Sequence, residues 1–256
     1  MNGTGDFSPA EREGLYRAIF ERRDVRSQFL PDPVPAEVLA RLLQAAHHAP
    51  SVGFMQPWDF LLIESRETRR AVKTLFDAAN AQAARHYAAE QGERYRRLKL
   101  EGILDSPLNL CITCDRNRGG PHVLGRDSMF DTDLFSTCLA VQNLWLAARA
   151  EGLGVGWVSI VDPAALAGVL ALPDGVYPLA YLCVGYVSEF LPAPELAAAG
   201  WRQRLPLAQL LHGDSWHQDA PAALQQAVGR LPAVDDPTDD PTTECPVANS
   251  PADESP

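Results

Sequence analysis

The segment 22–26 contains three arginines and one aspartate, whose side chains could take part in binding or catalysis. Arginine carries forked N–H donors that match phosphate oxygens, so three guanidinium groups within five residues suit an anion clamp. The alternative is a solvated basic helix end, which the helix dipole favours by itself. Asp24 is then either the ion-pair partner of the arginines or an acid or base beside the anion.

A second candidate is the hydroxyl group of Ser159, at the end of the glycine-rich stretch 152–159. Three glycines in the first five residues of this stretch let the backbone approach a planar ligand and adopt dihedral angles that a Cβ forbids. The plainer interpretation is a helix C-cap at Gly152 that continues into a buried strand. The hydroxyl just beyond the glycines favours a ligand site.

The loop 49–58 places the polar side chains of Ser51 and Gln56 next to aromatic residues. His47 and His48 precede it and raise the question of a metal site. Neighbouring histidines on a helix point about 100° apart, and no Cys, Asp or Glu stands at ligand spacing nearby. We therefore predict no metal site.

Length and composition predict a cytoplasmic protein that is large enough to be an enzyme. The chain has 256 residues, of which 46% are hydrophobic, so it can bury a full core. Its start does not resemble a signal peptide, and no run of about 18 apolar residues indicates a membrane span. Five cysteines without regular spacing argue against a disulfide framework. Cys111 and Cys114 match C-x-x-C but fall in a predicted strand, so we interpret them as core residues.

The net charge of −11 is concentrated near the C-terminal end. Residues 219–256 contain eight acidic residues against Arg230 alone, a net of −7, which leaves −4 for the rest of the chain. No basic field is present, so we expect no nucleic-acid partner and no membrane partner. The last stretch, rich in Pro, Asp, Thr and Ser, has little to bury. We predict a folded domain over 8–218 and a disordered acidic tail over 219–256.

Hydrophobic periodicity predicts an α+β fold in which helices flank a central sheet of mixed or antiparallel strands. The predicted helices span 9–22, 35–49, most of 67–100, 133–150 and 163–170, and the predicted strands span 59–64, 108–114, 156–160 and 177–187. The helix 133–150 is apolar nearly all round. A helix of this kind must be covered on several sides, which predicts a homodimer.

Five motifs resemble, in the same order, those of the flavin-dependent nitroreductase superfamily. They are the segments 22–26, 49–58, 142–145, 152–159 and 201–204. The resemblance extends over about 8–216. Asp24 and Met55 stand where the general pattern has serine and asparagine, and this resembles the branch of the superfamily that fragments its flavin.

The resemblance implies an intertwined homodimer in which both chains build each flavin site. The residues it assigns to FMN are Arg22, Arg23, Asp24, Val25, Arg26, His47, Ser51, Gln56, Gly156, Ser159, Arg202 and Arg204. The arginines would hold the phosphate and the polar edge of the ring, and Gly156 would set backbone against the ring. Asp24 and Ser159 are the implied catalytic residues.

In that branch, reduced FMN is the substrate and molecular oxygen the co-substrate, and the product is 5,6-dimethylbenzimidazole, the lower ligand of cobalamin. The resemblance also implies an external flavin reductase as partner, since the chain has no G-x-G-x-x-G fingerprint followed by an acid. Two other functions stay open. One is an NAD(P)H-dependent FMN nitroreductase or flavin reductase, and the other is a flavin carrier without catalytic activity.

Overall fold

A four-stranded antiparallel sheet forms the centre of the chain in the computed structural model, which describes residues 5–232. Its strands are β1 (Trp58–Ile63), β2 (Leu108–Asp115), β3 (Leu153–Val158) and β4 (Val176–Tyr186). They lie in the order β1, β2, β4, β3, so β2 and β4 are internal and the other two strands are edges. The predicted α+β fold with a central sheet is confirmed.

Helices are present at all five predicted positions, but the predicted segment 67–100 is divided into two helices, and two short helices after residue 191 are not predicted. The helices are α1 (Pro9–Glu21), α2 (Ala36–His47), α3 (Arg66–Ala83), α4 (Ala89–Arg97), α5 (Thr132–Ala150), α6 (Pro163–Val169), α7 (Glu195–Ala198) and α8 (Ala222–Val228). Short 3-10 turns lie at Val52–Phe54, Ala84–His86 and Leu207–Leu210.

Helices cover both faces of the sheet. Alternate residues of a strand point to opposite faces. Leu110 and Leu182 pack with α2 and α5 on one face, and Cys111 and Tyr181 pack with α3 and α6 on the other. Strands buried on both faces are apolar along their length, and β2 is buried from its first residue to its seventh. Cys111 and Cys114 are accordingly buried, as predicted.

The chain divides into two compact units. One consists of residues 21–191 and contains the sheet, and the other consists of the terminal segments, which among the described residues are 5–20 and 192–232. In the terminal unit, Ser8 is the N-cap of α1. Its Oγ accepts from the Glu11 N–H (3.3 Å), and the Glu11 carboxylate accepts from the Ser8 N–H (2.7 Å), which is a capping box.

The predicted acidic tail begins within the described residues. Residues 219–232 contain α8, because their Ala-rich and Gln-rich sequence favours a helix. The Gln225 side chain also donates to the carbonyl of Ala220 (2.7 Å). Helical structure therefore extends into the region predicted to be disordered, and the rest of the predicted tail, 233–256, lies outside the described residues. Across 5–232, the helices are too short or too polar to cross a membrane.

The third strand differs from its predicted position. The prediction places it at 156–160 after a glycine turn, whereas β3 begins at Leu153. Gly152 has a φ of +78° and donates its N–H to the Arg149 carbonyl (3.2 Å), so it ends α5 as a C-cap glycine. Gly154 and Gly156 therefore lie inside a strand and not in a turn.

The two glycines within β3 make room for the segment 22–26. Asp24 forms a parallel bridge with Val155, and Val25 donates its N–H to the Val155 carbonyl (3.0 Å). A Cβ at Gly156 would overlap the Val25 carbonyl oxygen, and a Cβ at Gly154 would lie 2.7 Å from Val25 Cγ2. Both glycines are on the same face of the strand, so they form one groove for the approaching backbone.

We expect Gly156→Ala to lower the free energy of unfolding by roughly 2 kcal/mol or more, because the new methyl group must displace main chain and not a flexible side chain. Gly168→Ala in α6 is the control, since its Cβ would have no heavy atom within 4 Å. That variant should be neutral or slightly more stable. Urea unfolding of both variants measures the difference, and equal stabilities would contradict the packing argument.

Candidate functional site

The carboxylate of Asp24 is held in place from two sides. Its Oδ1 accepts from the backbone N–H of Trp157 (3.0 Å), and its Oδ2 accepts from Nη2 of Arg26 (2.5 Å). The Arg26 side chain is only 10% exposed, whereas the Asp24 side chain is 33% exposed. The carboxylate is therefore fixed by its partners and still accessible, as a catalytic group must be.

Burial has the largest effect on the pKa of the Asp24 carboxyl group. Desolvation raises the pKa of its carboxyl group above the ordinary value, while the charge of Arg26 and the Trp157 N–H offset part of the rise. A carboxyl group with a raised pKa exchanges its proton at a pH closer to neutral. This property suits a general acid or base.

The three arginines of the segment 22–26 have different surroundings. Arg26 is buried, and Arg23 donates through Nε to the Leu191 carbonyl (2.9 Å) and through Nη1 to the Arg22 carbonyl (2.9 Å). The Arg22 guanidinium lies over the Trp145 ring, 5.3 Å from its centroid. Its buried Nε has no hydrogen-bond partner within residues 5–232. Because buried donors are nearly always paired, this atom is a candidate for a hydrogen bond to an acceptor that lies outside the chain.

Other predicted site residues lie in the turn between α2 and β1. Ser51 Oγ accepts from the Gln56 N–H (3.0 Å), and the Gln56 side chain donates to the Phe54 carbonyl (3.0 Å). Phe54 and Gln56 have φ values of +53° and +48°. This left-handed conformation costs a non-glycine residue on the order of 1–2 kcal/mol. Such strain persists only where the surroundings enforce it, and it is concentrated at functional sites.

His47 is oriented by Trp58 at the start of β1. The indole N–H donates to Nδ1 of His47 (3.1 Å), so the neutral imidazole carries its proton on Nε2. Both side chains line a cavity of about 600 Å³. The other lining residues are Leu43, Met55, Gln56, Asp59, Phe60, Leu62 and Arg118. Apolar walls with a few polar groups are typical of a small-molecule site.

The structure brings the predicted residues together as two groups at opposite edges of the sheet. Asp24 and Gly156 belong to the β3 edge, whereas Ser51 and Gln56 lie just before β1. Three strand spacings separate these edges, about 14 Å in all. We call the two groups the β3 half-site, made of 22–26 with β3, and the β1 half-site, made of His47 and the turn 51–56.

Ser159, Arg202 and Arg204 are the remaining predicted site residues. Ser159 directly follows β3 and is exposed, so it lies at the same edge as Asp24. Arg202 and Arg204 are exposed residues of the terminal unit, and their contact with FMN stays a prediction. In the part of the chain that the structure describes, no three His, Cys, Asp or Glu side chains form a group suited to a metal ion.

Two participants in the half-sites are not indicated by the sequence. The Trp157 N–H that binds Asp24 is a backbone group, and no residue type signals it. Arg118, which lines the cavity, lies in a polar loop with Arg116 and Arg126. Nothing in the sequence distinguishes it from these neighbours.

Residues 19–186 match the Nitroreductase family, and this match includes both half-sites. The chain therefore belongs to the nitroreductase family, as the five motifs predict.

Within this family, the chain is similar to proteins of one named activity. It is 43% identical over 200 residues to 5,6-dimethylbenzimidazole synthase of Rhodospirillum rubrum, across 78% of this chain and 94% of that protein. It is also 43% identical to the protein of the same name from Rhodobacter capsulatus, across 78% and 97% of the two chains. A solved structure of oxidised iodotyrosine deiodinase bound to FMN and 3-iodo-L-tyrosine shares the fold, with a TM-score of 0.60 at 22% identity over 75% of this chain and 96% of that one.

The raised pKa of Asp24 predicts a pH-dependent stability difference between the native protein and Asp24→Asn. Folding disfavours the ionised carboxylate, so the native protein loses stability relative to the variant as the pH rises from the unfolded pKa of about 3.9 through the raised folded pKa. Urea unfolding at several pH values should show the variant gaining relative stability as the pH rises above the unfolded pKa of about 3.9. A difference that stays constant with pH would mean that folding leaves the ionisation of Asp24 unchanged.

Proposed function

We propose that the chain is a 5,6-dimethylbenzimidazole synthase, which converts reduced FMN and molecular oxygen into the lower ligand of cobalamin. The observation that carries the proposal is the anchored carboxyl group of Asp24, whose pKa is raised by burial, within a segment of three arginines. The general nitroreductase pattern has a serine at this position. The relatives named 5,6-dimethylbenzimidazole synthase, at 43% identity, support the same activity.

The segment 22–26 suits the phosphate end of FMN. A phosphate group supplies the acceptor oxygens that the buried Nε of Arg22 lacks within residues 5–232. Arg23 and Arg26 add positive charge, and the N–H of Val25 keeps the segment docked on β3.

In the proposed reaction, FMN supplies the carbon skeleton of the product: the ribityl C1′ carbon becomes C2 of the benzimidazole, and the pyrimidine half of the ring system is lost. Such a fragmentation requires protons to move to and from carbon and nitrogen atoms, and each transfer needs an acid or base within hydrogen-bond reach. We assign this role to Asp24. Ser159, exposed directly after β3, is assigned a hydrogen bond to the reacting ring.

Two chains complete one site in this proposal. The half-sites lie at opposite edges of one sheet, so the β1 half-site of one copy meets the β3 half-site of the other. A suitable contact surface exists on α5, where Phe135 and Leu139 are 54% and 45% exposed at a spacing that places them on one helix face. Phe130, which is 66% exposed, precedes this helix. Large exposed apolar side chains on one face favour an interface between chains.

We expect Leu139→Glu to convert the homodimer into monomers and to weaken FMN binding, since a carboxylate would be buried against an apolar surface without a partner. Leu104→Glu is the matched control, because Leu104 is 44% exposed but lies outside α5. Light scattering after size-exclusion chromatography gives the mass, and flavin fluorescence gives the affinity. A dimeric Leu139→Glu variant with native affinity would rule out this helix face as the interface.

Mass spectrometry tests the activity directly. We expect 5,6-dimethylbenzimidazole to form when the purified protein is mixed with chemically reduced FMN in aerated buffer without NAD(P)H. Asp24→Asn should lower the yield by roughly 100-fold, the usual contribution of a positioned acid or base. Since NAD(P)H is left out, product formation would also support the dependence on a separate flavin reductase.

The same experiment separates the alternatives. Recovery of intact oxidised FMN alone would overturn the synthase proposal. Oxidation of NAD(P)H with a nitroaromatic acceptor would then support an FMN reductase. Tight FMN binding without either activity would support a flavin carrier.

A further inference from the structure

The turn 51–56 needs an external support, because its backbone is strained. Phe54 and Gln56 are both left-handed, and the next residue, Pro57, has no N–H to donate. The carbonyl of Gln56 lies outside the β1 ladder, which begins at Trp58. The turn therefore relies on donors from elsewhere in the chain to hold this conformation.

Arg118 supplies these donors from the loop after β2. Its Nη1 donates to the carbonyl of Gln56 (3.1 Å) and to the carbonyl of Trp58 (3.0 Å), and its Nη2 donates to the carboxylate of Asp59 (2.7 Å). Its Nε also lies 3.5 Å from the carboxylate of Asp115. One planar guanidinium thus spans the end of the turn and the start of β1, which an ammonium group with its single charge centre cannot do.

The loop that carries Arg118 is itself fixed. Arg126 is buried and donates to the carbonyls of Arg116 and Gly120, on either side of Arg118. The loop also packs directly on the turn: a Cβ at Gly53 would lie 2.9 Å from the Leu124 carbonyl oxygen. The guanidinium therefore projects from a rigid support.

From this geometry we infer that Arg118 is a positioning residue, which holds Ser51 and Gln56 in the conformation that contacts the flavin. The inference rests on the proposed function for the role of the turn. Arg118 acts through the two carbonyls and need not touch FMN. Its loss should loosen the turn and weaken flavin binding while the core of the sheet stays intact.

The test compares Arg118→Gln with Arg41→Gln. Arg41 also forms a bidentate ion pair: its Nε and Nη2 donate to the Glu151 carboxylate oxygens (2.6 and 2.8 Å). It lies on α2, away from the turn. Hydrogen exchange of peptides covering 51–60 reports on the turn without ligand, and quenching of FMN fluorescence well below the melting temperature reports on affinity. Arg118→Lys is the second variant if Arg118→Gln does not fold, since it keeps the charge and most of the side chain.

We expect the Arg118 variant to exchange faster across 51–60 and to bind FMN roughly ten-fold more weakly, the effect of losing about one charge-assisted hydrogen bond. Arg41→Gln should change neither quantity. Native exchange in the turn, or native FMN affinity alongside a lowered melting temperature, would overturn the inference, because the latter pattern shows a purely structural role. Failure of the native protein to bind FMN would instead overturn the proposed function, and the exchange measurement would still decide whether Arg118 holds the turn.

Discussion

The contact on which the site depends is the docking of the backbone at Asp24 and Val25 on β3. It requires Gly154 and Gly156, since a Cβ at either position would collide with Val25. The same contact brings the Asp24 carboxylate to the Trp157 N–H and keeps three arginines at the edge of the sheet. The lack of side chains at these two positions of β3 therefore determines where both the arginine-rich segment 22–26 and the Asp24 carboxylate lie.

Both half-sites carry local costs that a protein selected for stability alone would avoid. At the β3 half-site, Arg26 is buried, Asp24 is partly desolvated, and the Arg22 Nε has no partner within residues 5–232. At the β1 half-site, two non-glycine residues adopt left-handed conformations. A ligand that binds only the folded chain offsets such costs in proportion to its affinity and concentration.

In the proposed dimer, the separation of the half-sites explains the exposed apolar face of α5. A sheet of four strands keeps its edges apart, so no change in side chains could bring the turn 51–56 to Asp24 within one chain. A second copy removes this limit in the proposed dimer. The helix that covers one face of the sheet would then serve two functions: its buried side forms the core, and its exposed side joins the chains.

Local sequence signals determined most of the elements and indicated the candidate site residues. Ser8 with Glu11 starts α1, Gly152 ends α5, and apolar periodicity predicts the helices within a few residues, because caps and helix faces depend on neighbours three or four positions apart. The motifs also indicated the nitroreductase family. Tertiary structure alone decided that Gly156 accommodates Val25, since the partner lies far away in the sequence.

The same holds for the polar contacts of the two half-sites. The hydrogen bond between Asp24 and the Trp157 N–H joins residues 133 positions apart, and Arg118 reaches the Gln56 carbonyl across 62 positions. Backbone N–H and carbonyl groups are nearly the same in every residue, so the sequence does not indicate which of them will bind a given side chain. These contacts are determined only when the sheet has formed. The sequence by itself determined which groups are available for chemistry, and the tertiary structure decided which of them meet.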